Sequence, residues 1–198
     1  KDRGDDDAPW MAWVSFSRPH QPYTPSDPYA SMYPPESITL PPTAESETPE
    51  ILRHRADERF SEDNLRRRVS TYLALTSQVD YGIGLILEEL EKRGGLGNTI
   101  VVYSADHGDY AGEHGLWEKS GGISTRAITR IPLIARFPDK VCSGRVTDEI
   151  VEAIDVFPTL CELAGMEIPN HVQGRSFISL LGHDPAPIRD SALTENPY

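Results

Sequence analysis

The chain has 198 residues, enough to bury one sizeable core, and 38% of them are apolar. Its 19 Lys and Arg against 31 Asp and Glu leave a net charge of −12. That balance excludes the basic stripe a nucleic-acid partner needs, while a local cluster of Lys, His and metal can still hold one small anion. No apolar run approaches the roughly 20 residues that span a bilayer. With only Cys142 and Cys161 there is no disulfide framework, and a single bridge stays open.

Lys1 to Pro9 is an Asp-rich lead-in that reads as a surface segment. It starts on Lys1 without a signal-peptide pattern, which leaves room for a lost upstream segment. Periplasmic or secreted and cytoplasmic settings therefore both stay open, and so does the oligomeric state. Trp10 to Ser17 reads as a buried strand, stopped by the prolines of Arg18-Pro19-His20-Gln21-Pro22. From Tyr23 to about Pro49 the chain is rich in Pro, Ser, Thr and Tyr, and a long irregular excursion is expected.

Ser61 is placed to cap one long helix ending at Gly94-Gly95. Leu65, Val69, Tyr72, Val79, Ile83, Ile86 and Leu90, with Thr76, recur at steps of four and three, so one stripe should pack inward. The β-branched run Thr99 to Ser104 predicts a strand, and Ile131 to Phe137 a second. Asp155 is expected to cap a helix through Ala164 with Gly165 as its stop, and Ser176 to Leu181 to form a last short helix. Ser191 to Thr194 reads as the start of a strand. Alternating strands and helices predict an α/β fold: a layered, mostly parallel sheet flanked by helices.

The chemistry gathers behind the first of those strands. Polar residues at the carboxyl end of a strand in an α/β sheet are site candidates. Asp106 and His107 offer an oxygen and a nitrogen to a divalent cation, and Gly108 lets the backbone turn behind them. Lys119, a dozen residues on, can bring a cation to an anionic substrate. Each residue alone has a plainer role: an Asp after a strand caps the next turn, and a lone His satisfies its own surroundings.

The ordered run Asp106-His107-Gly108, Gly112-Glu113-His114-Gly115-x-Trp117-x-Lys119 is more specific, and it resembles the sulfatase family of the alkaline-phosphatase-like superfamily. Trp13 to Tyr23 is similar to the family's strand and His-x-Pro segment, and residues 33–41 to its sequel. Arg130-Ile131-Pro132-Leu133-Ile134, Asp155 to Leu160 and Gly174-Arg175-Ser176 follow in family order. The resemblance implies that Asp106 and His107 ligate a divalent cation. Calcium is the first expectation, and an imidazole ligand keeps manganese and zinc open. It further implies that Lys119 holds a sulfate oxygen and that His20 contacts the sulfate or the leaving group. His114 stands near the mouth of the site as a substrate-binding candidate, with a loop-steadying role as the alternative.

The pattern is incomplete. The family's nucleophile is a formylglycine made from Cys or Ser in a Cys/Ser-x-Pro-x-Arg motif, and an early strand supplies a pair of Asp ligands. Cys142-Ser143-Gly144-Arg145 lacks the Pro, and Ser17-Arg18-Pro19 and Ser26-Asp27-Pro28 lack the Arg. Asp5-Asp6-Asp7 lies on no predicted strand. The expectation is therefore that residues 1–198 form a partial sulfatase catalytic domain, without its nucleophile segment and C-terminal subdomain. Such a piece would bind a cation weakly and be inactive alone, while the parent protein hydrolyses a small-molecule or saccharide sulfate ester. A phosphonate monoester or phosphodiester hydrolase of the same superfamily, and a non-catalytic sulfatase-like module, are the alternatives.

Overall fold

The computed structural model describes residues 9–41, 61–119, 125–137 and 143–194. Asp5-Asp6-Asp7, residues 42–49 of the predicted excursion, and Cys142 lie outside the described residues. Cys161 is buried as a free thiol.

One helix dominates. α1, Glu62–Lys92, starts where Ser61 accepts a hydrogen bond from the Asn64 amide at 3.4 Å, and Glu62 and Asp63 add negative charge to its first turn. Its carbonyl end closes at Gly94, in the left-handed region at φ +67°, where glycine has no Cβ to clash. Of the expected stripe Leu65 is buried, Val69, Tyr72, Val79, Ile83 and Leu90 are half-buried, and Thr76 and Ile86 are exposed, while Ser70, Ala74 and Leu75 beside it are buried. Short 3-10 turns at Tyr29–Ser31 and Pro35–Ser37 pack on the helix, Tyr29 against Tyr81. There the Ser70 hydroxyl donates to the Tyr33 carbonyl, and the Arg66 guanidinium to that of Ile38.

After a turn at Leu96–Asn98 the chain enters β1, Val101–Ser104, which pairs with β2, Leu133–Arg136. Register runs from Val101 opposite Arg136 to Ser104 opposite Leu133. This described pair is antiparallel, where alternating strands and helices imply parallel neighbours. Parallel neighbours need a crossover, usually a helix, and the described part of the segment between these strands holds a folded loop and the four-residue α2, Arg126–Thr129. The layered α/β class itself holds, with α1 preceding β1 and helices following β2.

α3, Val156–Leu163, and α4, Ile178–Leu181, close the described chain. Asp155 precedes α3 as expected, but its side chain does not cap it. The carboxylate turns back instead, accepting from the Glu152 amide at 2.8 Å and the Arg175 amide at 2.7 Å. It also pairs with Arg189, which binds Glu152 as well. Thr159 completes this C-terminal clasp, donating to the Asp155 carbonyl at 2.6 Å and accepting from the Phe177 amide at 2.9 Å.

Two predicted strands do not form. Trp10 to Ser17 is extended but unladdered, with Trp13 83% exposed, because a strand exists only against a partner and none is present among the described residues. Ser191 to Thr194 is likewise irregular, since the Leu193 amide is taken by Glu152 Oε1 at 2.8 Å instead of a neighbouring strand.

Candidate metal and anion site

β1 ends by delivering Asp106 and His107 to the surface, with Asp106 exposed and His107 half-buried. Asp106 Oδ1 accepts from the His107 amide at 3.0 Å, which folds its carboxylate toward the imidazole. Its other oxygen, Oδ2, then lies 3.6 Å from His107 Nε2, close enough for one cation to meet both. The imidazole is oriented from its other side, where Nδ1 lies 2.7 Å from the Gly108 carbonyl. A carbonyl only accepts, so Nδ1 is the donor in this contact, and Nε2 is the ring nitrogen left on the side of Asp106. A metal-binding His is held by this kind of second hydrogen bond.

Gly108 is required by space. A Cβ there would sit 1.9 Å from the Ala127 carbonyl oxygen, because α2 passes directly over the turn and the Gly108 amide donates to Ile128 at 2.7 Å. Beyond it, Tyr110 and Leu116 are buried and pack with Ala127 and Ile128. Asp109 Oδ1 accepts from the Ala111 amide at 2.7 Å and from the Glu118 amide at 3.1 Å, drawing the far end of the loop back to its start. Burial raises the Asp109 carboxyl above the ordinary carboxylate range, against the pull of those two amides. All the non-glycine residues with positive φ among those described lie in this loop: Ala111 at 44°, His114 at 55° and Glu118 at 56°. Strain of this kind persists only where the surroundings over-determine it, and it gathers at functional sites.

His114 sits inside this turn with Nε2 3.6 Å from Glu113 Oε1, a contact that serves the loop-steadying alternative. Lys119 is exposed, directly after the strained Glu118. His20 is exposed on a separate segment, with Nδ1 3.0 Å from the Gln21 carbonyl. Among the described residues no group of three or more His, Cys, Asp or Glu is placed to hold a metal. Asp106 and His107 are therefore only a candidate pair, with donor types that suit a divalent cation.

Tyr23, Trp117 and Glu118 have no role that the sequence alone assigns, and the structure puts them between these segments. The Tyr23 hydroxyl donates to Glu118 Oε1 at 3.2 Å and accepts from Trp117 Nε1 at 3.0 Å. Trp117 is also met edge-on by Tyr23, at 5.7 Å between centroids, and by Tyr72 of α1 at 6.1 Å, with Arg68 5.5 Å from its ring. Burial pushes Tyr23 up to about 12, aided by the carboxylates of Glu118 and Asp109 and opposed by the indole donor. Tyr72 is likewise pushed to about 12, by burial first and Asp109 next. The only local signal was at Asp109, whose carboxylate accepts the amide two residues on, as Asp does in turns.

Comparison with known proteins gives a consistent likeness. Residues 3–166 match the family model described as Sulfatase. An arylsulfatase of Clostridium perfringens is 30% identical across 99% of this chain and 42% of its own length. An N-acetylglucosamine-6-O-sulfatase of Bacteroides thetaiotaomicron is 40% identical over 61% of this chain and 22% of its own. The solved phosphonate monoester hydrolase SpPMH from Silicibacter pomeroyi superposes with a TM-score of 0.75 at 30% identity, over 88% of this chain and 37% of that one. The chain spans about two fifths or less of the length of these proteins.

Proposed function

The chain belongs to the sulfatase family, and from that premise we propose that it is part of a catalytic domain that hydrolyses a sulfuric ester in a divalent-cation-dependent reaction. The observation that supports this most is the pair formed by Asp106 Oδ2 and His107 Nε2, 3.6 Å apart just beyond the end of β1.

In this reading Asp106 and His107 hold one side of the cation. Bound there, a divalent cation supplies Lewis-acid stabilisation of charge on the ester's oxygens. Lys119 adds a fixed positive charge for a nonbridging sulfate oxygen, where charge concentrates during displacement. His20, with Nδ1 committed to the Gln21 carbonyl, offers Nε2 to contact the ester or its leaving group. His114 stands at the rim. The formylglycine nucleophile and further cation ligands would come from chain outside residues 1–198, so this piece alone is expected to bind the cation weakly and turn nothing over. Calcium is the proposed cation, with manganese and zinc as the competitors that an imidazole ligand brings. A sulfated saccharide is the proposed substrate class, because the relative from Bacteroides thetaiotaomicron is an N-acetylglucosamine-6-O-sulfatase. No helix among the described residues is long and apolar enough to cross a membrane.

The second reading, a phosphonate monoester hydrolase, is favoured by the superposition on SpPMH. Both are tested on the protein expressed at the full length of its coding sequence, by comparing turnover of an aryl sulfate with that of an aryl phosphonate monoester. A higher kcat/KM for the sulfate supports the first reading, and a higher value for the phosphonate supports the second. Lys119→Ala is expected to lower sulfate turnover by roughly a hundredfold or more. A loss under about threefold would remove Lys119 from the site.

A further inference from the structure

His20, the Asp106–His107 pair and Lys119 come from three separate segments, and chemistry on one ester requires them in a fixed register. The structure brings all three segments to one residue, Glu118, the neighbour of Lys119. Its amide is held by Asp109, two residues beyond His107, at 3.1 Å. Its carboxylate is held by the Tyr23 hydroxyl, three residues beyond His20, at 3.2 Å. Its backbone sits in the left-handed region at φ 56°, a conformation that such ties sustain and that sets the direction in which the chain enters Lys119.

The segment carrying His20 is itself braced. The Arg18 guanidinium donates to the carbonyls of Pro22 and Thr24 at 3.0 and 3.1 Å, and the His20 amide donates to Ser17 at 3.1 Å. Anchoring Tyr23 therefore anchors the whole turn. Trp117 provides the wall for that anchor: its indole N–H donates to the Tyr23 hydroxyl, while Tyr72 and Arg68 of α1 hold its ring. The hydroxyl is thus oriented, with one donor and one acceptor role filled.

We infer that Tyr23 and Glu118 form a positioning pair, registering the His20 segment against Lys119 through the hydroxyl–carboxylate hydrogen bond. The pair touches no reacting atom; it acts through the placement of the groups on either side. The inference rests on the sulfatase reading above, because the register matters only if His20 and Lys119 serve one ester. A displacement of about 1 Å at reacting groups can lower a rate a hundredfold, so a single lost tie can show in turnover while leaving the fold intact.

The test is a double-mutant cycle in the protein expressed at full length, with para-nitrophenyl sulfate as substrate and Lys119→Ala as control. Tyr23→Phe keeps the ring against Trp117 and removes only the hydroxyl; Glu118→Gln keeps the shape and weakens the acceptor. Each is expected to lower kcat about tenfold, with KM within about twofold and the thermal midpoint near that of the parent. The double variant should be no worse than the poorer single one, because both remove the same bond. Tyr23→Phe activity within twofold of the parent, or losses that multiply in the double variant, would overturn the pair while an inactive Lys119→Ala leaves the sulfatase reading standing. A fully active Lys119→Ala would remove Lys119 from the site and overturn the pair with it, whereas a parent protein that leaves para-nitrophenyl sulfate intact would take down the sulfatase reading itself.

Discussion

In the loop after β1, Asp109 gathers the amides of Ala111 and Glu118; in the C-terminal clasp, Asp155 gathers those of Glu152 and Arg175. Each carboxylate folds an irregular segment, and each segment has a glycine against which another part of the chain presses. A Cβ on Gly108 would meet the Ala127 oxygen at 1.9 Å, and one on Gly174 the Ile154 oxygen at 2.0 Å. The two regions part company in charge and strain. Asp155 is fully buried and shares Arg189 with Glu152, and the only positive φ among the clasp's described residues is that of Gly165. Asp109 is held by neutral amides, and its loop keeps three non-glycine residues in the left-handed region. The clasp pairs its charges, leaving Arg189 Nε unpartnered among the described residues. The loop retains strain beside the candidate residues Asp106, His107 and Lys119, a feature expected of a site more than of a joint.

That contrast can be broken in order of expected size. Arg189→Ala would strand two carboxylates in a clasp where Asp155 has no exposure, and it should lower unfolding free energy by about 3–5 kcal/mol in urea titrations. Turnover per folded molecule should be unchanged; a variant as stable as the parent would mean that the pair is dispensable. Gly108→Ala should cost on the order of 3 kcal/mol, because α2 must move, and unlike Arg189→Ala it should also lower the affinity for calcium or manganese measured by calorimetry. An unaltered affinity would separate the turn from the ligand pair. Ala111→Gly relieves one left-handed residue, and after the added chain entropy of glycine it should raise stability by roughly half a kcal/mol. A loss instead would show that the loop is not strained at that point.

The smallest effect concerns alkaline pH. Tyr23 rises from 10.0 to about 12 on folding, so between those values the unfolded chain releases its proton first. Protons then stay longer on the folded form, and stability falls as pH climbs through that window, while nothing is lost below it. Tyr23→Phe should make that decline shallower, as read by thermal midpoints across the alkaline range, with Tyr72 supplying the slope that remains. An unchanged slope would take Tyr23 out of the buried network.

How far the sequence foretold each region follows the same division between near and distant contacts. The Ser61 cap, the long helix and the Asp106-His107-Gly108 turn depend on neighbours a few residues away, and their spacing discloses them; β1 shows in its β-branched run, although it forms only because β2 is there to pair with it. Trp10 to Ser17 has a strand's composition, but a ladder needs a partner, which no local pattern contains. Asp155 has the identity of a helix cap, yet its carboxylate serves residues 20 and 34 positions away. Tyr23 reaches Trp117 and Glu118 across 94 and 95 residues, a contact that only the folded chain creates. The residue types of the candidate site are readable in the sequence; the ties between its segments are not.

α1 has a consequence that is angular. Its 31 residues span about 46 Å, and two of the places where the helix meets the rest of the chain serve as stations along it. Near its start, Leu65 and Val69 lie beneath Gly112 of the loop; ten residues past Tyr72, Gly82 receives the edge of Phe16, whose Cε1 would stand 3.0 Å from an added Cβ. The two stations are phased to each other along one rigid screw. One residue inserted between Tyr72 and Gly82 would swing the second station by about 100° and carry Phe16 off it. Four inserted residues would bring it back to within about 40° of its bearing. The helix therefore tolerates changes of length only in near-whole turns, and it keeps time between the loop above its first half and the chain that crosses its second.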